Sequence, residues 1–200
     1  MELQKNIWNI KNLIEVLNSN SVVVMPTDTL YGIVGKALDA SVVNRIYAIR
    51  KRKPEKPFII LIGDIGELQK FSVILSEQQK NKIKEYWLVT PKPKGVGGFG
   101  PTSIILDCED ETLSYLHRGT KTLAFRLPAQ ADLRNLLKKT GPLVAPSANL
   151  EGLPPAKNIL EAKKYFGNAV DLYVDGEEIA GEASRIIRLN KDGSVEVLRD

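Results

Sequence analysis

Short apolar runs alternate along this chain with apolar residues at helical spacing, and each run stops at proline, glycine or a polar cluster. No other feature limits the fold as strongly, because strands separated by helices build a sheet with helices packed on it. Ile7, Ile10, Ile14 and Leu17 recur at helical spacing, and residues 18–21 break the pattern. Residues 21–25 (SVVVM) read as a buried strand stopped by Pro26. A second helix is expected from near Ser41, with Val42, Ile46 and Ile49 on one face, and a second apolar strand over 58–62. Ser76 and Gln79 fit a capping box for a helix ending near Trp87. Further strands are expected over 103–106, 122–126, 142–145 and 170–174, and helices over 131–139, closed by Gly141, and 156–166. Residues 185–189 and 195–198 flank NKDGS at 190–194 as a terminal hairpin. With no internal repeat and no linker dividing two cores, the expectation is a single α/β domain over 1–200, a mixed twisted sheet with helices packed on it.

Several function classes drop out on composition. No apolar run approaches the roughly 20 residues that span a bilayer. Residues 1–5 carry no signal-peptide pattern, and the one cysteine, Cys108, suits a reducing compartment, so a cytoplasmic protein is expected. One cysteine and one histidine, His117, cannot build a structural zinc site. His117 has no G-x-S-x-G partner for a triad and reads as a surface turn residue. No phosphate-binding glycine loop of a standard type is present, so a nucleotide would be held by side chains. Twenty-eight basic against 24 acidic residues give a net charge of +4, mild overall, but Arg45, Arg50, Lys51, Arg52, Lys53 and Lys56 crowd into one stretch. That stretch is either a solvated helix end or an anion site.

Four segments can carry chemistry. The first, PTDTLYG at 26–32, follows a strand and reads either as a pocket for a small polar molecule or as a turn held by Thr27 and Asp28. The second, residues 50–58, offers guanidinium forks and lysines suited to phosphate oxygens. The third, APSAN at 145–149, can present a hydroxyl and an amide from one side of extended chain. The fourth is Gly181 to Ser184, with Arg199 near the end. A Pro/Gly loop over 90–101 is long enough to serve as a lid.

The order P-T-D-T-x-Y-G, basic cluster, G-P-x-[ST], R-x-P, P-S-A-N, G-x-x-S and a terminal L-R resembles the YrdC-type threonylcarbamoyl-AMP synthase family over about residues 20–200. The resemblance implies an open twisted sheet with a basic concave face. The implied reaction joins L-threonine, bicarbonate and ATP into threonylcarbamoyl-AMP and pyrophosphate, and a partner enzyme then transfers the group to tRNA. Thr29, Tyr31, Arg126 and Ser184 would bind threonine, and Arg50, Arg52 and Lys56 would grip the ATP phosphates. Ser103 would lie near the reacting carbamate, Ser147 and Asn149 against the nucleotide, and Arg199 beside it. Arg52, Ser103 and Lys56 carry the catalytic expectation. Magnesium would travel on the ATP phosphates, with no site of protein side chains alone.

This sequence also departs from the family pattern. Arg50 stands where lysine is usual, and a one-residue slide would select Lys51 and Lys53 instead. Leu61 occupies a position where relatives can carry histidine, and Glu151-Gly152 replaces Ser-Gly after S-A-N. Two other readings stay open. One is a paralogue making another carbamoyl-adenylate, as in hydrogenase maturation proteins, whose cysteine- and zinc-containing domains have no counterpart in this sequence. The other is a non-catalytic protein binding RNA weakly through its basic face, which would need aromatic side chains among the charges to stack bases.

Overall fold

The computed structural model describes residues 7–8, 11–89 and 100–200. Residues 90–99 of the Pro/Gly loop, the stretch long enough for a lid, lie outside the described residues. Among the described residues nine strands form one sheet: β1 (Val23–Pro26), β2 (Tyr31–Lys36), β3 (Ile59–Leu61), β4 (Thr102–Asp107), β5 (Thr122–Arg126), β6 (Leu143–Val144), β7 (Leu172–Tyr173), β8 (Arg185–Leu189) and β9 (Val195–Arg199). Their order is β7-β1-β2-β6-β3-β5-β4-β8-β9. The β1–β7, β3–β5 and β4–β8 pairs are parallel and the rest antiparallel, so the sheet is mixed as expected.

Six α-helices accompany it among the described residues: α1 (Lys11–Asn18), α2 (Ala40–Arg50), α3 (Glu77–Lys84), α4 (Ser114–His117), α5 (Ala131–Thr140) and α6 (Ile159–Phe166). The Ser76–Gln79 capping box opens α3 as read from the sequence. Three local expectations need correction. Pro26 ends β1 inside the ladder, paired with Tyr31, rather than stopping the strand before it. Strand β2 was not expected, because its two glycines weaken the strand signal. Gly35 has a packing reason: a Cβ there would fall 2.3 Å from the Val42 side chain of α2. His117 is not at the surface but 1% exposed, its Nδ1 accepting from the Gly119 N–H at 3.1 Å.

Two cores divide the sheet's faces. The larger packs Val42, Val43 and Ile46 of α2, Ile83 of α3 and Phe166 of α6 against Val24, Ile33, Ile60, Ile104, Phe125 and Ile187. The smaller packs Leu13 and Leu17 of α1 and Leu133, Leu136 and Leu137 of α5 against Val23, Met25, Val34, Leu61 and Leu143. Its sheet residues come from β1, β2, β3 and β6, and none from β4, β5, β8 or β9. Strand side chains alternate between faces. Ser103 and Arg126, each adjacent to a residue of the larger core, therefore project on the other face, where α1 and α5 do not reach.

Candidate active site

The turn after β1 is closed by Thr27. Its hydroxyl donates to the Leu30 carbonyl at 2.7 Å and accepts from the Thr29 N–H at 3.3 Å. Asp28 is thereby left for another partner, and its Oδ1 accepts from Arg126 Nη2 at 2.8 Å. Both side chains are buried, 4% and 5% exposed. The same Nη2 donates to Thr29 Oγ1 at 3.2 Å, while Arg126 Nε is buried without a hydrogen-bond partner. An unsatisfied buried donor costs about 1–3 kcal/mol. Such a group is what a bound acceptor would satisfy.

Sheet register lines up the rest of this half. The Ile104–Phe125 pair puts Ser103 and Arg126 next along β4 and β5. Ser103 pairs with Ile186, and Ile186 with Arg199. Arg126, Ser103 and Arg199, scattered over 97 positions of sequence (103–199), thus share one level on the face of the smaller core, beyond the strands that α1 and α5 pack against. Ser103 Oγ lies 2.9 Å from Ser184 Oγ, both hydroxyls buried. Arg199 Nε and Nη2 donate to the Ser184 carbonyl at 3.0 and 2.7 Å. Burial, and then the charge of Arg126, hold the Arg199 guanidinium below its usual range.

The segment between β7 and β8 folds back over the turn. The Tyr31 hydroxyl donates to the Glu177 carbonyl at 2.8 Å and accepts from the Gly176 N–H at 2.9 Å. The hydroxyl of Tyr31 thus anchors this segment. A Cβ on Gly181 would fall 1.9 Å from the Thr29 carbonyl oxygen, so the segment reaches the turn only because residue 181 has no side chain.

A second polar cluster forms where α2 ends. Arg50, 2% exposed, donates from Nε to the Asn149 carbonyl at 3.0 Å and from Nη2 to Asn149 Oδ1 at 2.9 Å. Its Nη1 is buried without a partner. Burial, helped by the neighbouring Arg52 charge, pushes the guanidinium down to about 10, which leaves it cationic at neutral pH. Arg52 donates from Nε to the Lys56 carbonyl at 3.1 Å. The Arg50 and Arg52 guanidinium carbons lie 5.9 and 5.5 Å from the Phe58 ring centre, within cation–π reach. Lys51 is the left-handed residue that ends α2, and its exposed side chain contrasts with buried Arg50. Ser147 Oγ donates to Asn149 Oδ1 at 2.6 Å. Asn149 Nδ2 donates to the Leu150 and Leu153 carbonyls at 2.9 and 2.7 Å. Every polar atom of that amide is therefore engaged within the protein, and Asn149 acts by fixing Arg50 and the turn that follows.

The clusters are joined through β2, whose Gly32 bridges Ser147 while the Tyr31 carbonyl accepts from the Ala148 N–H at 2.8 Å. Sequence reasoning did not single out Asp28 as the partner of Arg126, nor Phe58 beneath the two arginines. The D of PTDT and the F after K-P were the available signals, but a turn role and a strand start explained them equally well. Leu61 is fully buried in the smaller core, paired along the strand with Arg126. Among the described residues no group of three His, Cys, Asp or Glu side chains could hold a metal ion, and no helix is long and apolar enough to cross a membrane.

Fold and site together define an α/β protein with an open mixed sheet that presents two arginine-centred polar clusters. Residues 15–200 match the Sua5/YciO/YrdC family, described as telomere recombination, and the chain belongs to that family. A threonylcarbamoyl-AMP synthase of Bacillus subtilis (strain 168) is 32% identical over 194 residues, 96% of this chain and 53% of that protein. Sua5 of P. abyssi complexed with L-threonine superposes with a TM-score of 0.80 at 26% identity, covering 96% of this chain and 54% of that one. E. coli YciO shares the fold with a TM-score of 0.77 at 24% identity, over 100% of this chain and 91% of its own. The chain spans about half the length of the Bacillus relative and of Sua5.

Proposed function

We propose that this chain synthesises threonylcarbamoyl-AMP from L-threonine, bicarbonate and ATP, with release of pyrophosphate, for threonylcarbamoyladenosine modification of tRNA. Kinship to proteins named for that reaction supports the reading. One observation carries it: a buried arginine, Arg126, whose Nη2 donates to the Thr29 hydroxyl, keeps an unsatisfied Nε, as a small carboxylate ligand would require. The threonine carboxylate takes that N–H, with Thr29 and Ser184 beside the ligand and Tyr31 holding the covering segment. The amine adds to bicarbonate with loss of water, giving a carbamate near Ser103. A carbamate oxygen then attacks the α-phosphorus of ATP, and pyrophosphate leaves with the electrons of the broken P–O bond.

In this reading the protein supplies position and positive charge rather than a covalent nucleophile. Arg50, Arg52 and Lys56 hold the phosphates, Ser147 and Asn149 shape that cradle, and Arg199 lies beside the nucleotide. Magnesium enters as part of the nucleotide. Residues 1–200 act as one catalytic unit in the cytoplasm, and a partner enzyme moves the threonylcarbamoyl group to tRNA. RNA stacking by the basic stretch is disfavoured, because its aromatic residue, Tyr47, is 7% exposed and stacked on Phe58 at 3.9 Å. Steady-state pyrophosphate release tests the assignment. Arg126→Ala should raise KM for threonine and Arg52→Ala KM for ATP; wild-type kinetics in both would refute the placement of the site.

A further inference from the structure

Glu151 stands among the cations of the second cluster. Its Oε2 accepts from the Lys53 N–H at 2.6 Å and its Oε1 from Lys56 Nζ at 2.7 Å. Its own N–H donates to the Arg50 carbonyl at 3.0 Å, which locks the carboxylate's backbone to the end of α2. The bond from Lys56, and then that from the Lys53 amide, hold the carboxyl below its usual range. A lysine ammonium and a backbone amide converging on two oxygens of one anion is how proteins hold a phosphate group. The buried, unpartnered Nη1 of Arg50 in the same cluster leaves further capacity for an anion.

We propose that Glu151 is a built-in stand-in for phosphate. It fills the Lys53–Lys56 position while the cradle is empty, gives way when a polyphosphate binds, and competes for Lys56 again as pyrophosphate departs. The proposal rests on the reading of residues 50–56 as the phosphate cradle. It adds to that reading a residue that weakens the grip, lowering affinity for substrate and product alike so that product is shed. A serine or glutamine at this position would leave Lys56 and the Lys53 N–H free for the ligand.

Calorimetric titration with inorganic pyrophosphate and tripolyphosphate, with and without magnesium, tests this in wild type, E151Q, E151S and E151D. The two neutral variants should bind both anions about tenfold tighter than wild type near 0.1 M ionic strength, a gain that shrinks as salt rises. E151D, which keeps the charge, should bind as wild type does. The gain should vanish in the K56Q/E151Q double variant, while L-threonine binding stays the same in all. Two neutral substitutions guard against one of them failing to fold. Unchanged or weaker anion binding in E151Q and E151S overturns the proposal, and weaker binding only with magnesium does so by making Glu151 a metal ligand. Absence of polyphosphate binding in every protein also overturns it, together with the cradle. Tighter anion binding in a chain that makes no threonylcarbamoyl-AMP would leave Glu151 as proposed and sink only the assigned reaction.

Discussion

Replacing Asp28 by asparagine isolates the charge at the heart of the first cluster. The carboxylate lies 2.8 Å from Arg126 Nη2, with the two side chains 4% and 5% exposed. Removing one partner of a buried pair costs about 3–5 kcal/mol, because the other charge stays buried. Asparagine keeps an oxygen for the hydrogen bond, which offsets about 1 kcal/mol of that loss. A net destabilisation of about 2–4 kcal/mol follows, and a chain of this size loses about 2–4 °C of Tm per kcal/mol, so a fall near 10 °C is expected. Urea unfolding at constant m-value, alongside a thermal melt, measures it. The double variant D28N/R126M removes both charges and should be more stable than D28N alone. A D28N protein melting with wild type, or a double variant melting below D28N, would refute the assignment of stability to this pair.

Other outcomes follow from the same geometry. Asn149→Ala should lose about 3 kcal/mol or more in urea unfolding and weaken ATP binding, since four side-chain hydrogen bonds go and Arg50 is left buried. Gly181→Ala, with its Cβ 1.9 Å from the Thr29 oxygen, should cost about 1–3 kcal/mol and raise KM for threonine more than for ATP. Arg45 holds the Asp171 carboxyl, and Ser41 that of Asp39, below the usual carboxylate range. Depressed carboxylates contribute stability that is complete above the unfolded value and lost as pH falls through the lower folded value. The urea midpoint should therefore hold from neutrality to about pH 5 and fall below pH 3.8, less steeply in Asp171→Asn.

Much of this fold was legible because its strands and helices obey distinct periods. Strand β5 matches its expected range, and the capping box locates α3. Strand β2 was hidden because YGIVGK is buried on both faces, so no alternation marks it, and its two glycines break the apolar run. His117 was misplaced for a related reason: a turn sequence says nothing about what packs over it. In the site, the segments that the motif order singled out meet in two clusters, and the pairing of Ser103 with Ser184 follows from β4 and β8 lying side by side. Partner choice within the segments was not legible. Whether Asp28 caps its own turn or reaches Arg126 depends on Thr27 closing that turn first, which only the folded geometry decides. Likewise, Asn149 carries a family motif, yet its amide is committed to Arg50, Ser147 and two carbonyls.

Isotope tracing follows the proposed reaction atom by atom. Wild-type protein incubated with ATP, L-threonine and carbon-13 bicarbonate should yield, by mass spectrometry, an adenylate containing threonine and one labelled carbon, with matching pyrophosphate. L-serine in place of threonine should give far less. A labelled adenylate that lacks the amino acid, or no adenylate from folded protein that binds both ATP and threonine, would contradict the account.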